Sequence, residues 1–216
     1  MAKVNTRSRT KKPPNMNHGE ISTAAKPWLG SDENFNQLYP DSIKLLAKRH
    51  WTPIAVAEKA ASFLAAENNT RILDVGSGVG KFCLAAACYK PTAFFYGVEQ
   101  RNMLIAHAES ARTEMQLGNV SFIHGNFTQL DFNYFDHFYF YNSFYENLSG
   151  TDKIDDSIDY TRELYNYYNR ILFKKLEEKP AGTRLVTYFS GEEEVPPSFH
   201  IVCTDMGNLL KFWIKI

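Results

Sequence analysis

At 216 residues, with 44% hydrophobic and 22% charged side chains, the chain has the make-up of one globular domain plus an appendage, excluding disordered, collagen-like and disulfide-scaffold classes. Its longest apolar run, Phe82 to Tyr89, is far short of the about 20 residues that cross a bilayer, so no membrane partner is expected. The three cysteines, Cys83, Cys88 and Cys203, are odd in number and lack metal-ligand spacing, which points to a reduced, cytoplasmic setting.

The 24 basic and 24 acidic residues balance, but unevenly along the chain. The first 18 residues carry Lys3, Arg7, Arg9, Lys11 and Lys12 and no acid, leaving 19 basic against 24 acidic groups in the other 198. Such a segment cannot bury enough apolar area to offset its ordering entropy, so residues 1–20 are expected to form a disordered basic tail. The tail is either a solubilising terminus or an arm for an acidic partner.

Residues 21–66 read as a helical extension. Ile43, Leu45, Leu46 and Ala47 lie on a short helix opened by Pro40 and Asp41, and Thr52 stands as the N-cap of a helix with Pro53 at its first position. Ile54, Ala57, Ala60, Ala61 and Leu64 continue that helix to about Ala66. Residues 67–216 then alternate strand and helix, the pattern of an α/β domain with a mostly parallel sheet and helices on both faces. Predicted strands are Arg71–Val75, Phe94–Val98, Val120–His124, His137–Tyr141 and Arg184–Phe189. Predicted helices run from about Lys81 to Tyr89, from about Met103 to Gln116, and from Ile158 to Leu176. Phe199–Cys203 and Leu209–Ile216 close the chain as an antiparallel hairpin.

Asp74-Val-Gly76-Ser77-Gly78-Val-Gly80 joins the first strand to a helix, the context in which a glycine loop holds a nucleotide-like ligand. Two ligands compete. A dinucleotide fingerprint places its third glycine three residues after the second, where this chain has Lys81. Asp74 before the loop asks for a cation, while the helix start suits an anion, and S-adenosylmethionine carries both signs. Glu99, followed by Gln100, ends the second strand, where a carboxylate can accept from ribose hydroxyls; NAD would use the same acid. Asn126 and Phe127 follow the third strand, offering an amide for the adenine edge and a ring to stack on it.

These motifs resemble the class I Rossmann-like S-adenosylmethionine-dependent methyltransferases over residues from about 70 to 216. The resemblance implies a seven-stranded sheet with its last strand antiparallel, and S-adenosylmethionine as cofactor. The departure is Asn126, where many members carry aspartate. A more local likeness, in the glycine loop, Tyr96-Gly-Val-Glu99 and the segment around Asn142, is to the histone-lysine methyltransferases that lack a SET domain. Trp51-Thr52-Pro53 resembles an entry loop of bacterial methyltransferases, which implies that Thr52 meets the methionine carboxylate.

Eight of the twelve residues from Tyr134 to Tyr145 are aromatic. Rings around a methyl donor exclude water and stabilise cations. Asn142 is the candidate for orienting a nitrogen nucleophile, with Tyr145 beside it. The segment Asn142-Ser-Phe-Tyr145 is similar to the Asn-Pro-Pro-Tyr loop of amide and adenine N-methyltransferases without its prolines. The histidines form no metal set and are expected to be surface or core residues. The leading expectation is methyl transfer to a nitrogen of a protein side chain or small molecule, with nucleic acid also open as acceptor. The rivals are a non-catalytic S-adenosylmethionine-binding module and an NAD-dependent oxidoreductase.

Overall fold

The computed structural model describes residues 25–216, so the basic tail at 1–20 lies outside the described residues. Seven strands form one sheet in the order β3-β2-β1-β4-β5-β7-β6. They are β1 (Arg71–Val75), β2 (Phe94–Glu99), β3 (Val120–His124), β4 (His137–Tyr141), β5 (Arg184–Tyr188), β6 (Phe199–Asp205) and β7 (Leu210–Lys215). The first five run parallel, β7 is antiparallel to β5, and β6 pairs with β7 as the expected hairpin. From β1 the chain builds outward to β2 and β3, then returns to add β4 and β5 on the other side. That reversal opens a crevice beyond the carboxyl ends of β1 and β4.

Strand alternation sorts the core into two layers. Ile72, Phe95, Tyr139 and Val186 face α4 (Ile54–Leu64), α5 (Lys81–Tyr89) and α6 (Asn102–Glu114). Leu73, Phe138, Phe140 and Leu185 face α7 (Arg162–Glu177) and the aromatic turns around Phe127 and Phe132. The period-two pattern of His137-Phe-Tyr-Phe-Tyr141 is thus used on both sides: Tyr139 stacks on Phe82 at 3.8 Å, and Phe138 on Phe132 at 4.8 Å.

Three local expectations are corrected. The helix expected around residues 43–47 is two short ones, α2 (Asp41–Lys44) and α3 (Ala47–His50), because its apolar residues do not share a face: Ile43 is buried while Leu45 is 83% exposed. Thr52 does not cap α4. Pro53 holds the cap position without a side-chain bond, and the Ile54 N–H instead donates to Asp32 Oδ1 at 3.0 Å, from α1 (Asp32–Asn36). The long helix starts at Arg162, not Ile158, because the hydroxyl of the extended residue Thr161 accepts from the Leu164 N–H at 3.1 Å.

A buried ammonium ties the N-terminal helices to the glycine loop. Lys81 Nζ donates to Asp32 Oδ1 at 2.6 Å and to Asn36 Oδ1 at 3.0 Å, and it lies over the rings of Phe35 and Trp51. Burial lowers the Lys81 pKa, and Asp32 opposes that shift. Residues 25–65 therefore share a hydrophobic cluster with β1 and α5.

Gly80 shows how tightly the loop is packed. Its φ of +80° is left-handed, and a Cβ there would stand 2.3 Å from Cζ of Phe122 on β3. Gly80→Ala is expected to cost about 2–4 kcal/mol, combining backbone strain and overpacking. Thermal unfolding should show a midpoint lower by roughly 5–15 °C; an unchanged midpoint would refute this packing.

Candidate active site

A cavity of about 380 Å³ occupies the crevice, within the size range of small-molecule sites. Its floor is Gly76 and Gly78 of the loop after β1, and its sides are the ends of β2, β3 and β4. The loop spanning residues 145–160 forms its roof, and α3 reaches one side of its mouth. A second recess of about 30 Å³, room for one or two water-sized groups, adjoins it and shares His50, Gly76 and Tyr141 as walls.

The residues singled out in the sequence divide between the two spaces. Gly76, Gly78, Glu99, Gln100, Phe127, Asn142 and Tyr145 line the larger cavity. Asp74, Ser77 and Thr52 line the recess. Gly80 and Asn126 line neither space.

Glu99 is buried at the end of β2. Its Oε2 accepts from the Gly78 N–H at 3.1 Å and its Oε1 from the Arg101 N–H at 3.0 Å, which orients the carboxylate toward the loop. Nothing stands within 4 Å of where a Cβ on Gly78 would be, so the bare backbone leaves that part of the cavity open. Asn126 is committed within the fold: its amide donates to Gln100 Oε1 and the Tyr168 hydroxyl, while its oxygen caps the following turn through the Thr128 N–H. Gln100 and Phe127 present the β3 side of the cavity in its place, the Phe127 ring stacked on Phe144 at 5.1 Å.

Asp74 is 3% exposed, and burial pushes its carboxyl up to about 8, with the Cys83 thiol opposing and Glu99 adding to the rise. The Cys83 thiol donates to Asp74 Oδ2 at 3.7 Å. The Thr52 and Tyr139 hydroxyls are hydrogen-bonded at 3.0 Å beside it. The Ser77 hydroxyl has no partner among the described residues and stands against Gly97. The recess thus sets the buried Asp74 carboxyl and the hydroxyls of Thr52, Ser77 and Tyr139 beside the Lys81 side chain, a lining for a small polar group.

Asn142 has a left-handed φ of 39° just past β4, a turn conformation that asparagine adopts more readily than other non-glycine residues. It lines the cavity, and its side chain has no hydrogen-bond partner among the described residues. Tyr145 is half exposed at the same wall.

Sequence reasoning missed the roof. Arg101 is buried and its guanidinium donates to Glu146 Oε2 at 2.7 Å, to the Tyr160 hydroxyl at 2.6 Å, to Asp155 Oδ1 at 3.2 Å and to Glu99 Oε1 at 3.4 Å. Arg49 pairs with Asp152 nearby. Asp152, Asp155, Asp156 and Asp159 make an acidic run in this loop, but no signal in the sequence joins it to Arg101.

The sequence pattern described as "Methyltransferase domain" matches residues 66–211. The chain belongs to this methyltransferase family. The methyltransferase domain is of the S-adenosylmethionine-dependent, Rossmann-like kind, and S-adenosylmethionine is its cofactor; the open backbone at Gly78, the oriented Glu99 carboxylate and the buried Asp74 fit that molecule. Over 54 residues the methyltransferase is 44% identical to the tRNA (guanine-N(7)-)-methyltransferase of Synechococcus sp. (strain JA-3-3Ab), a stretch covering 25% of this chain and 23% of that protein. A 39% identical stretch of the same length matches the protein of the same name from Microcystis aeruginosa, covering 26% of it. The chain thus matches about a quarter of the length of these curated relatives.

Among solved structures, TrmN from Thermus thermophilus shares the fold with a TM-score of 0.53 at 17% identity, covering 81% of this chain and 52% of that one. An RNA methyltransferase from Salinibacter ruber in complex with S-adenosyl-L-homocysteine gives 0.53 at 18% identity, covering 76% and 93%. No helix among the described residues is long and apolar enough to cross a membrane, and no group of three or more metal-ligating side chains occurs among them.

The Asp74 carboxyl sets a pH dependence. Its folded pKa of about 8 exceeds the unfolded value of 3.8, so the folded chain holds a proton the unfolded chain has lost between those values. Its contribution to stability is complete below about pH 4 and declines as pH rises to about 8. Asp74→Asn should flatten that decline, gaining on the wild type by up to about 1.4 kcal/mol per pH unit in denaturant titrations of the ligand-free protein; parallel pH profiles would contradict it. Glu99→Gln should weaken S-adenosylhomocysteine binding about tenfold or more by calorimetry, and wild-type affinity would mean that the carboxylate does not hold the ligand.

Proposed function

We propose that this methyltransferase methylates a nitrogen atom of a protein side chain or small molecule. The observation that carries the reading is Asn142: an amide with no hydrogen-bond partner among the described residues, in the wall of the cavity just past β4. Its side-chain carbonyl accepts a hydrogen bond from an N–H, which aims the nitrogen lone pair rather than an oxygen or carbon.

When bound, S-adenosylmethionine supplies an electrophilic methyl group on a sulfonium. The protein's part is mainly placement, since aligned displacement needs little acid-base machinery. On this reading Asp74 and the recess take the ammonium, with Thr52 available to the methionine carboxylate. Glu99 takes the ribose hydroxyls, and Gln100 and Phe127 flank the purine. Tyr141, Phe144 and Tyr145 line the side of the cavity next to Asn142 and keep water from the reacting centre.

A second reading, an RNA nitrogen, is supported by the short match to tRNA (guanine-N(7)-)-methyltransferases, with the basic residues before Lys12 as an arm for phosphates.

Labelled S-adenosylmethionine incubated with the protein and a lysate of the source cells separates the readings. Label released by protease or passing a small-molecule filter supports the first, and label released only by nuclease supports the second. Asn142→Ala should lower label incorporation about 100-fold while leaving S-adenosylhomocysteine affinity within about threefold. Full incorporation by the variant would remove Asn142 from the reaction.

A further inference from the structure

We propose that His50 is the general base of the reaction, taking the proton that a nitrogen acceptor gives up as it is methylated. The inference rests on the nitrogen reading above. It comes from the position of His50 and from elimination among its neighbours.

His50 is the last residue of α3 and belongs to the walls of both the main cavity and the recess. It is half-buried, and neither ring nitrogen has a hydrogen-bond partner among the described residues. A side chain of this kind, set between the spaces assigned to the donor's amino-acid end and to the acceptor, has no structural bond to lose. The charged groups facing it are Arg49 on its own helix, Glu146 from the turn after β4 and Arg101 from the end of β2. Burial lowers its pKa below 6.5, Glu146 opposes this, and the two arginines reinforce it. The imidazole is therefore neutral at pH 7 and able to accept a proton.

The carboxyl groups of the walls are already committed. Glu99 is held by the Gly78 and Arg101 N–H groups, and Glu146 by Arg101 and the Ile154 N–H at 3.0 Å. Asp152 is paired with Arg49. Asp74 opens to the recess only, where burial raises its pKa. The Tyr141 hydroxyl donates to the Arg49 carbonyl at 3.2 Å, and burial raises its pKa to about 12. Lysine and arginine side chains at the mouth carry their protons already.

The step balances without a further reagent. The acceptor nitrogen forms a bond to the methyl carbon with its lone pair. The carbon–sulfur bond breaks, the sulfur keeps that electron pair as a neutral thioether, and the nitrogen's proton passes to a His50 ring nitrogen. His50 then returns the proton to solvent through the open mouth.

The test measures the initial rate of label incorporation from the lysate between pH 5 and 9, for wild type, His50→Gln, and His50→Ala with and without added imidazole. S-adenosylhomocysteine affinity is measured by calorimetry. Histidine ring resonances of the S-adenosylhomocysteine-loaded protein are titrated by NMR. The expected results are a rate about 100-fold lower at pH 7 for both variants, loss of the wild-type rise in rate between pH 5 and 7, and partial rescue of His50→Ala by imidazole. S-adenosylhomocysteine affinity should stay within about threefold, and one ring titrating below pH 6.5 should be missing from both variants. Unchanged rates and pH profile in His50→Gln overturn the proposal. So does a fall in cofactor affinity that matches the fall in rate, which would make His50 a cofactor ligand. Wild-type label found only on an atom without a hydrogen to lose, or on oxygen or carbon, overturns the nitrogen reading and this one with it, whereas label on an N–H nitrogen with normal His50→Gln rates overturns this one alone.

Discussion

One buried guanidinium holds the floor of the cavity to its roof. Arg101 reaches Glu99 on the sheet side and Glu146, Asp155 and Tyr160 on the loop side, from a position with almost no solvent. A charge so placed is costly unless every donor is met, and removing one partner leaves the others uncompensated. The roof is accordingly specified less by its own propensities than by the need to satisfy this residue. The consequence for the site is that the carboxylate assigned to the ribose and the loop that closes over the cavity belong to one hydrogen-bonded unit.

A second buried cation does comparable work on the far side of the glycine loop. Lys81, bonded to Asp32 and Asn36, fastens the N-terminal helices against the start of α5, and Asp32 also serves the first N–H of α4. Those helices carry His50 and Thr52 to the cavity and its recess. The division of labour is chemical as well as spatial. The recess concentrates polar groups, Asp74, Lys81 and hydroxyls, while the larger space combines aromatic rings with Asn142 and the Glu99–Arg101 pair. A donor with a charged amino-acid end and a planar purine end is matched by such an arrangement, and the acceptor is left the mouth.

Much of the sheet was legible because buried parallel strands announce themselves as short apolar runs between turn residues. Arg71–Val75, Val120–His124 and His137–Tyr141 have the boundaries read from the sequence, as does the helix Lys81–Tyr89. The misplaced features are those decided by partners distant in the chain. Asp32 caps α4 from 22 residues away, displacing Thr52. The partners of Asn126 are likewise distant: its amide donates to Gln100 and Tyr168, contacts that its neighbours in sequence do not announce. His50 was passed over because a lone histidine in a basic turn carries no local sign of function.

The order of signals along the chain, a glycine loop after one strand and an acid after the next, was enough to give a Rossmann-like α/β domain and to favour S-adenosylmethionine over NAD as its ligand. Those features depend on strand period and backbone permissiveness, which are local. Which side chains face the cavity, and which are consumed in holding it together, depended on charges and hydrogen bonds closed across tens of residues. Only the folded chain brings Arg101 to Glu146 and Asp155, or His50 to the border of the recess, because no periodicity encodes the meeting of loops.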